Sequence, residues 1–212
     1  MGLKNALKDR ILVLDGAMGT MIQGYGLQES DFRGNLQVPH GVQLKGNNDL
    51  LVLTRPDVVR DIHAKYLAAG ADIIETCTFN ANRISQSEYG CGHLCRDINL
   101  QATRLAREVA DSYSTPGKPR FVVGSVGPTG RTCSMSPDVE DPAFRNVTFD
   151  MLADAYKEQI IALVEGGVDA IFFHDKMKGC YKDLVRRLGE TYQVPIYKHQ
   201  KLRVPAEVVW KK

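Results

Sequence analysis

The stretch that decides the fold is residues 54–76, TRPDVVRDIHAKYLAAGADIIET, in which a helical pattern runs directly into a strand pattern. Thr54 offers a helix cap, Pro56 stands early in the helix, and Gly70 ends it. Apolar side chains recur between them at helical spacing, on Val58, Val59, Ile62, Tyr66 and Leu67. Residues 72–76 are then short, apolar and next to a glycine, which is typical of a buried parallel strand. The stretch therefore predicts one helix–strand unit of an α/β fold.

The same alternation extends in both directions along the chain. Apolar segments at residues 11–14, 121–123 and 170–173 predict further strands. Two helical faces lie between them, on Ile98, Ala102, Leu105 and Val109, and on Leu152, Tyr156, Ile160 and Leu163. Strands that alternate with helices form right-handed βαβ units and hence a parallel sheet.

The number of units that fit in the chain limits the architecture. The predicted strands begin near residues 11, 72, 121 and 170, so three repeats span 159 residues, about 53 each. A complete eight-stranded barrel has roughly 250 residues even with compact units. The 212 residues therefore predict either an open sheet of four or five strands or the front part of a barrel. Residues 194–197 (VPIY) supply a weak fifth strand.

Charge is distributed unevenly along the chain. The net charge is +2, but residues 176–212 contain ten Lys or Arg and three acidic residues, or +7, which leaves −5 for residues 1–175. A change this abrupt marks a boundary. The basic segment has no nucleic-acid-binding motif, so we expect a solvated or poorly folded extension and no nucleic-acid partner.

Composition excludes several classes of protein. With 43% hydrophobic and 25% charged residues, the chain can bury a core and is not a disordered tail. Its longest apolar runs, four or five residues, are too short to span a membrane. The five cysteines are few for a chain of 212 residues and predict a reduced protein of the cytoplasm.

Polar residues follow the predicted strands at the carboxyl ends, where parallel α/β folds place their sites. Carboxylates after two consecutive strands, Asp15 and Glu75, suit an ammonium group, and glycine-flanked amides beside them suit a carboxylate or phosphate. An amino acid fits both features. Equally, an aspartate in such a place caps a helix, and glycines there allow the chain to reverse. The candidate residues are Asp15, Gly16, Thr20, Glu75, Thr76 and Ser125.

Five segments carry a family resemblance: DGAMGTMIQ at 15–23, KGNNDLL at 45–51, AGADIIETCTFN at 69–80, GSVGPT at 124–129 and SPDVEDPAFRNVTF at 136–149. In this order they closely resemble the N-terminal homocysteine-binding module of cobalamin-dependent methionine synthase, over roughly residues 8–172. The resemblance implies a partial (β/α)8 barrel of four to five βα units and methyl transfer to the sulfur of homocysteine. It also implies that the six candidate residues bind homocysteine.

The resemblance further implies zinc, held in the family by three cysteines, which deprotonates a thiol that is otherwise mostly protonated at neutral pH. One of these cysteines follows an asparagine, and two are adjacent in a Gly-Gly-Cys-Cys-Gly run. Neither motif occurs here, so we predict no metal ligands and assign no catalytic residue. Cobalamin and folate bind to other modules of methionine synthase, which we expect to be absent from this chain.

Two cysteine segments invite a metal interpretation. Residues 91–95 (CGHLC) hold three potential ligands, but a second pair is missing, and single cysteines at a helix start are commonly small buried groups. Cys77 follows the second strand and faces the predicted site. We interpret it as a small polar replacement for the asparagine that is frequent in the family.

The resemblance ends near residue 173. The family continues with a Glu-Thr pair after the fourth strand, whereas this chain reads Phe172-Phe173-His174-Asp175. With the change of charge, this predicts the front part of a homocysteine-binding domain at 1–173 and an unmatched basic tail at 174–212. The hypothesis is a truncated homocysteine S-methyltransferase, inactive alone, whose unclosed barrel edge favours self-association. The alternatives are a non-catalytic remnant and a small open-sheet α/β enzyme that uses Asp15 and Glu75 as an acid–base pair.

Overall fold

The computed structural model describes residues 2–131, 139–141, 143–174 and 196–198, the last three by their backbone alone. Four parallel strands form one sheet, in the order in which they occur in the sequence. They are β1 Ile73–Glu75, β2 Phe121–Val126, β3 Ala170–Phe173 and β4 Ile196–Lys198. The predicted α/β fold with a parallel sheet is confirmed.

Helices lie between β1 and β2 and between β2 and β3 in the sequence, and they cover one face of the sheet. Ile74 and Val122 pack against Leu67 and Val109 on that face, and Ile171 packs in a second cluster with side chains of the helix at Phe149–Gly166. Within the described residues, the α-helices are α1 Leu3–Asp9, α2 Met18–Gln23, α3 Glu29–Arg33, α4 Leu51–Thr54, α5 Pro56–Ala68, α6 Arg83–Ser87, α7 Cys95–Tyr113 and α8 Phe149–Gly166. Two 3-10 helices occupy Asn48–Leu50 and Gly92–Leu94.

The other face of the sheet packs against the amino-terminal helix. Phe121, Val123 and Ala170 contact Leu3 and Ala6 of α1, which covers this face near the starts of the strands. Because side chains alternate along a strand, the residues that follow on this face are the ones that end each strand. These strand-end residues form the candidate site described below.

The register of the sheet follows from its parallel hydrogen bonds. Glu75 pairs with Val123, and Val123 pairs with Ala170. Ile171 pairs with Ile196, so the predicted fifth strand is confirmed at residues 196–198. The first two residues of that prediction, 194 and 195, lie outside the described residues.

The segment predicted as the first strand is not a buried strand. Leu14 forms a single parallel bridge to Ile73, and Ile11 and Val13 are 91% and 56% exposed. The Asp72 carboxylate accepts the N–H of Val13 at 2.9 Å in place of a strand carbonyl, so the ladder to β1 does not extend before Leu14. The segment therefore lies at the edge of the sheet with two apolar side chains in solvent.

The helix predicted from residue 54 begins two residues later. Pro56 is the first residue of α5 and Arg55 is its N-cap. Thr54 does not cap this helix, because it ends α4 and its hydroxyl donates to the carbonyl of Leu50 at 3.3 Å. Gly70 ends the unit as predicted, with a φ of +111° that glycine adopts without strain.

The predicted apolar faces of α7 and α8 are both buried. Their members are Ile98, Ala102, Leu105, Val109, Leu152, Tyr156, Ile160 and Leu163. The hydroxyl of Thr148 caps α8 by accepting the N–H of Met151 at 3.2 Å, and Gly167 ends it in the left-handed conformation. Within the described residues, none of the helices combines the length and the apolar character that crossing a membrane requires.

Candidate functional site

A cavity of about 490 Å³ lies at the carboxyl ends of β1, β2 and β3. Its wall combines residues at the carboxyl end of each strand with two further segments, residues 14–19 and 46–49. Residues 75–80 line it after β1, Ser125 lines it from β2, and His174 lines it directly after β3. The cavity thus occupies the end of the sheet at which the sequence predicts a site.

Five of the six candidate binding residues line this cavity: Asp15, Gly16, Glu75, Thr76 and Ser125. Thr20 is not among the lining residues: it is the third residue of α2, and its side chain is exposed. The structure thus brings the two carboxylates and the first glycine together and separates Thr20 from them. That these residues bind homocysteine stays a prediction.

Asp15 and Glu75 are neighbours in the cavity wall. The two carboxylate oxygens of Asp15 lie 3.1 and 3.2 Å from the backbone nitrogen of Glu75, whose N–H they accept. Burial, and after it the negative charge of Glu75, raises the pKa of Asp15 to about 8. Asp15 is therefore largely protonated at neutral pH, and a cation bound beside it stabilises the ionised form.

Glu75, Ser125 and His174 form a triangle of hydrogen bonds. The hydroxyl of Ser125 donates to Oε2 of Glu75 at 2.7 Å. Nε2 of His174 lies 3.0 Å from the same oxygen and 2.9 Å from the Ser125 hydroxyl. One carboxylate oxygen of Glu75 is thus contacted by a side chain of β2 and by the side chain that directly follows β3.

Two aromatic rings flank the imidazole of His174. The ring centroids of Phe79 and His174 are 4.8 Å apart at an interplanar angle of 62°. Phe172 meets the same imidazole at 5.2 Å and 88°, an edge-to-face contact. Both rings restrict rotation of the imidazole within the wall of the cavity.

A buried pair of threonines fixes the backbone of Ser125. Oγ1 of Thr76 accepts the N–H of Ser125 at 3.0 Å, and the hydroxyl of Thr78 donates to its carbonyl at 2.7 Å. The two threonine oxygens are 2.6 Å apart. Since Thr78 uses its proton on the carbonyl, Thr76 is the donor between them. The Ser125 hydroxyl is thereby held at one position beside Glu75.

Asp49 is a third carboxyl group of the cavity wall. Its side chain is buried, and Oδ2 accepts the backbone N–H of Asn80 at 2.7 Å. Burial raises the pKa of Asp49 to about 7. Next to Asp49, the side-chain amide of Asn47 and that of Gln86 in α6 bond each other at 2.8 and 3.1 Å, which fixes the chain that carries Asp49.

Cys77 lines the cavity but is held as a neutral thiol. Its Sγ lies 3.5 Å from the carbonyl oxygen of Asn48 and 4.0 Å from a carboxylate oxygen of Asp49. Burial, and secondly the charge of Asp49, raises the pKa of Cys77 well above its ordinary value. The thiolate needed for nucleophilic attack or metal binding is therefore disfavoured.

The described residues do not form a zinc site. A catalytic zinc takes about three protein ligands that converge on one point. In the parts of the chain that the structure describes, no three His, Cys, Asp or Glu side chains are arranged to hold a metal ion. Cys91 and Cys95 are buried free thiols, and burial raises the pKa of Cys95 to about 12. Since Cys133 and Cys180 lie outside the described residues, the absence of zinc ligands from the whole chain stays a prediction.

Two residues of the site were not among the sequence candidates, His174 and Asp49. His174 follows β3 directly, at a position equivalent to those of Asp15 and Glu75, and this equivalence was the available signal. The sequence instead presents it as a departure from the family pattern. Asp49 belongs to the KGNNDLL segment, which is not part of a strand. The position of a residue relative to a strand end therefore could not identify Asp49 as part of the site.

The cavity lies within a segment that known proteins share. Residues 12–175 match the family model for homocysteine S-methyltransferase. The chain belongs to the homocysteine S-methyltransferase family. The matched segment of this family member contains every residue named in the cavity wall, from Asp15 to His174.

Solved homocysteine methyltransferase structures have a similar fold. Structures of MmuM from Escherichia coli, in metallated, oxidized and apo forms, match the chain with TM-scores of 0.71, 0.70 and 0.63. The sequence identities are 19%, 20% and 19%, so the likeness concerns the α/β fold of the family alone. The matches cover 95%, 95% and 94% of this chain and 67%, 66% and 64% of the MmuM chains. This homocysteine S-methyltransferase family chain thus spans about two thirds of their length.

Proposed function

We propose that the chain binds L-homocysteine in the strand-end cavity, as the amino-acid-binding part of a homocysteine S-methyltransferase of the methionine synthase type. The observation that carries the proposal is the adjacency of Asp15 and Glu75 in one cavity. The family match over residues 12–175 supplies the substrate class. The sheet in this proposal is the front part of a (β/α)8 barrel.

The proposed contacts follow from the charges of an amino acid. The ammonium lies between Asp15 and Glu75, where charge-assisted hydrogen bonds form with both carboxylates. Gly16 and Gly19 have no side chain to shield their backbone, so their amides suit the ligand carboxylate. The sulfur end of homocysteine extends across the cavity, which at about 490 Å³ is large enough for the ligand.

Methyl transfer forms a bond between the homocysteine sulfur and the methyl carbon while the bond from that carbon to its donor breaks. The thiol proton must leave in the same reaction, because the thiolate is the nucleophile. In this proposal the described side chains bind and orient the amino acid. In this proposal cobalamin and folate act through other modules, and the cytoplasm keeps the substrate thiol reduced.

We propose that the chain binds homocysteine without turning it over alone. The support is in the sequence: none of its five cysteines is adjacent to another, and neither cysteine motif of the family occurs. Domain bounds at 1–173 and 174–212 belong to the same proposal. Assay of methyl transfer from free methylcobalamin, with zinc measured by elemental analysis, tests it. Stoichiometric zinc with turnover that Cys77→Ser abolishes contradicts it.

Calorimetric titration with L-homocysteine under reducing conditions tests the binding itself. Asp15→Asn and Glu75→Gln each remove one charge from the ammonium site, so each weakens binding roughly tenfold or more. Asp154→Asn is the matched control, because Asp154 is exposed on α8 and does not line the cavity. Wild-type protein without affinity, or equal affinities for all variants, refutes the proposal.

A second candidate function is a small α/β enzyme in which Asp15 and Glu75 act as an acid–base pair. The observation in its favour is the raised pKa of Asp15, about 8, beside a second carboxyl group. This candidate predicts turnover by the chain alone that either single variant abolishes. The binding proposal predicts altered affinity without turnover.

A further inference from the structure

We propose that His174 is a positioning residue, whose Nε2–H holds Oε2 of Glu75 and leaves the other carboxylate oxygen to the ammonium of the ligand. The inference rests on the proposed function and deepens it, because it explains how one of the two ammonium-binding carboxylates is oriented.

His174 occupies a fixed place at the end of β3. It follows β3 directly, and its backbone N–H donates to the carbonyl of Val126 at 3.2 Å. This bond continues the ladder between β2 and β3 by one residue. The imidazole therefore emerges from a fixed backbone position on the face of the sheet that carries Glu75 and Ser125.

The available protons determine the direction of the hydrogen bonds among Glu75, Ser125 and His174. Ser125 has one hydroxyl proton and donates it to Oε2 of Glu75 at 2.7 Å. Its oxygen then has only acceptor capacity toward Nε2 of His174, 2.9 Å away. An ionised carboxylate is likewise an acceptor only, and its Oε2 lies 3.0 Å from the same nitrogen. Nε2 must therefore carry the hydrogen, shared between the serine and glutamate oxygens.

The hydrogen on Nε2 orients the carboxylate of Glu75. Oε2 receives two donors, one from Ser125 and one from His174, and both come from parts of the sheet that the backbone fixes. Among the described residues, Oε1 of Glu75 has no such bond. The carboxylate is thus attached by one oxygen only, and the other remains for a ligand.

The imidazole of His174, which donates this hydrogen, is held rigidly. Phe79 and Phe172 meet the imidazole at centroid distances of 4.8 and 5.2 Å and at steep angles. Rotation of the imidazole away from Glu75 requires the loss of both contacts. An oriented donor costs less entropy when the ligand binds than a mobile one.

Two substitutions at residue 174 separate the donor from the ring. His174→Phe keeps an aromatic ring between the two phenylalanines and removes the N–H. His174→Gln removes the ring and keeps a terminal N–H donor. If the donor matters, glutamine preserves the orientation of Glu75 and phenylalanine does not.

The functional readout is the preference for a ligand with an amino group. We expect wild-type protein to bind L-homocysteine more tightly than 4-sulfanylbutanoate, which lacks the ammonium. His174→Phe reduces this preference roughly tenfold, whereas His174→Gln keeps it within about threefold. A full preference in His174→Phe, or an equal loss in both variants, overturns the proposal.

A measurement on the free protein keeps the two proposals distinguishable. Long-range 1H–15N correlation spectra of the histidine imidazoles identify the protonated nitrogen of His174, assigned with the His174→Gln variant. We expect hydrogen on Nε2 and, in Glu75→Gln, a changed shift of that nitrogen. A neutral imidazole protonated on Nδ1 instead overturns the positioning role even if homocysteine binds. If homocysteine does not bind and Nε2 carries the hydrogen, the proposed function fails and the orientation of Glu75 stands.

Discussion

The carboxylate of Asp15 accepts the backbone N–H of Glu75. The acidic residue that ends β1 is thus hydrogen-bonded to the acidic residue that follows residues 11–14, the edge segment. This contact brings two carboxyl groups to one wall of a cavity. Burial and the charge of Glu75 raise the pKa of Asp15 to about 8. The free site therefore stores a proton at neutral pH that a bound cation displaces.

Binding of L-homocysteine is expected to release a proton at pH 7. Asp15 is largely protonated before binding and ionised beside an ammonium, so affinity rises with pH up to about 8. Calorimetric titrations in buffers of different ionisation enthalpy measure the release, which should approach one proton per ligand. Asp15→Asn should abolish most of it. Proton uptake in wild-type protein contradicts the assignment.

His63 is expected to limit stability in acid. It is fully buried in α5, and neither ring nitrogen has a hydrogen-bond partner among the described residues. Burial lowers its pKa from 6.5 to about 4. Because the unfolded chain then binds more protons, this contribution is present above about pH 6.5 and is lost as the pH falls toward 4.

The measurement for His63 is urea unfolding between pH 7 and pH 5. Between the unfolded pKa of 6.5 and pH 5, about 1.5 pH units, the free energy of unfolding of the wild-type protein should fall by about 2 kcal/mol through His63. His63→Leu puts an apolar side chain of similar size in its place and removes this part of the pH dependence. An equally steep decline in the variant shows that other groups cause it.

Gly124 is expected to tolerate no side chain. A Cβ at this position of β2 lies 2.9 Å from Cδ1 of Leu163 and 3.0 Å from Cδ1 of Ile171, both in the core under α8. Gly124→Ala should lower the free energy of unfolding by about 1–3 kcal/mol through overpacking. Gly117→Ala is the matched control, because nothing lies within 4 Å of a Cβ there. Equal stabilities of the two variants refute this packing argument.

Asp72 is expected to attach the edge segment to the sheet. Its buried carboxylate accepts two bonds from Arg10, at 2.9 and 2.8 Å, and the N–H of Val13. The hydrogen bond from Arg10 is the largest cause that lowers the pKa of Asp72, so this stabilisation is lost when acid protonates the group. Asp72→Ala should cost about 2 kcal/mol and speed hydrogen exchange at Val13.

Asp57→Ala is the control for that variant. Asp57 also bonds an arginine twice, at 3.0 and 2.8 Å, but its side chain is 63% exposed. Exposed ion pairs contribute about 0–1 kcal/mol, so the control should be nearly neutral. If exchange at Val13 is unchanged in Asp72→Ala, the segment is attached by other contacts.

The helices were predictable because local spacing determines them. In α7 the apolar positions Ile98, Ala102 and Leu105 share one face, and this face is buried whatever it packs against. The edge segment was not predictable in the same way. A run such as residues 11–14 has the same composition at the centre and at the edge of a sheet, and the Asp72 side chain that caps its ladder is distant in sequence.

The candidate site was predictable in part for a related reason. Parallel strands bring their carboxyl ends together, so Asp15 and Glu75 were expected to meet. The roles of His174 and Asp49 depend on contacts with groups distant in sequence, the Glu75 carboxylate and the backbone N–H of Asn80 respectively. Those contacts follow from the register of the sheet and the course of a loop, which local patterns do not specify.

The triangle of Glu75, Ser125 and His174 also bears on how the chain folds. Its three contacts join residues that are 50, 49 and 99 positions apart in sequence. Such non-local contacts form late, since each requires the closure of a long loop before any energy is gained. The cavity therefore exists only after three successive units have docked on one another. A ligand that binds there accelerates no early folding step, and it slows unfolding by stabilising the completed sheet.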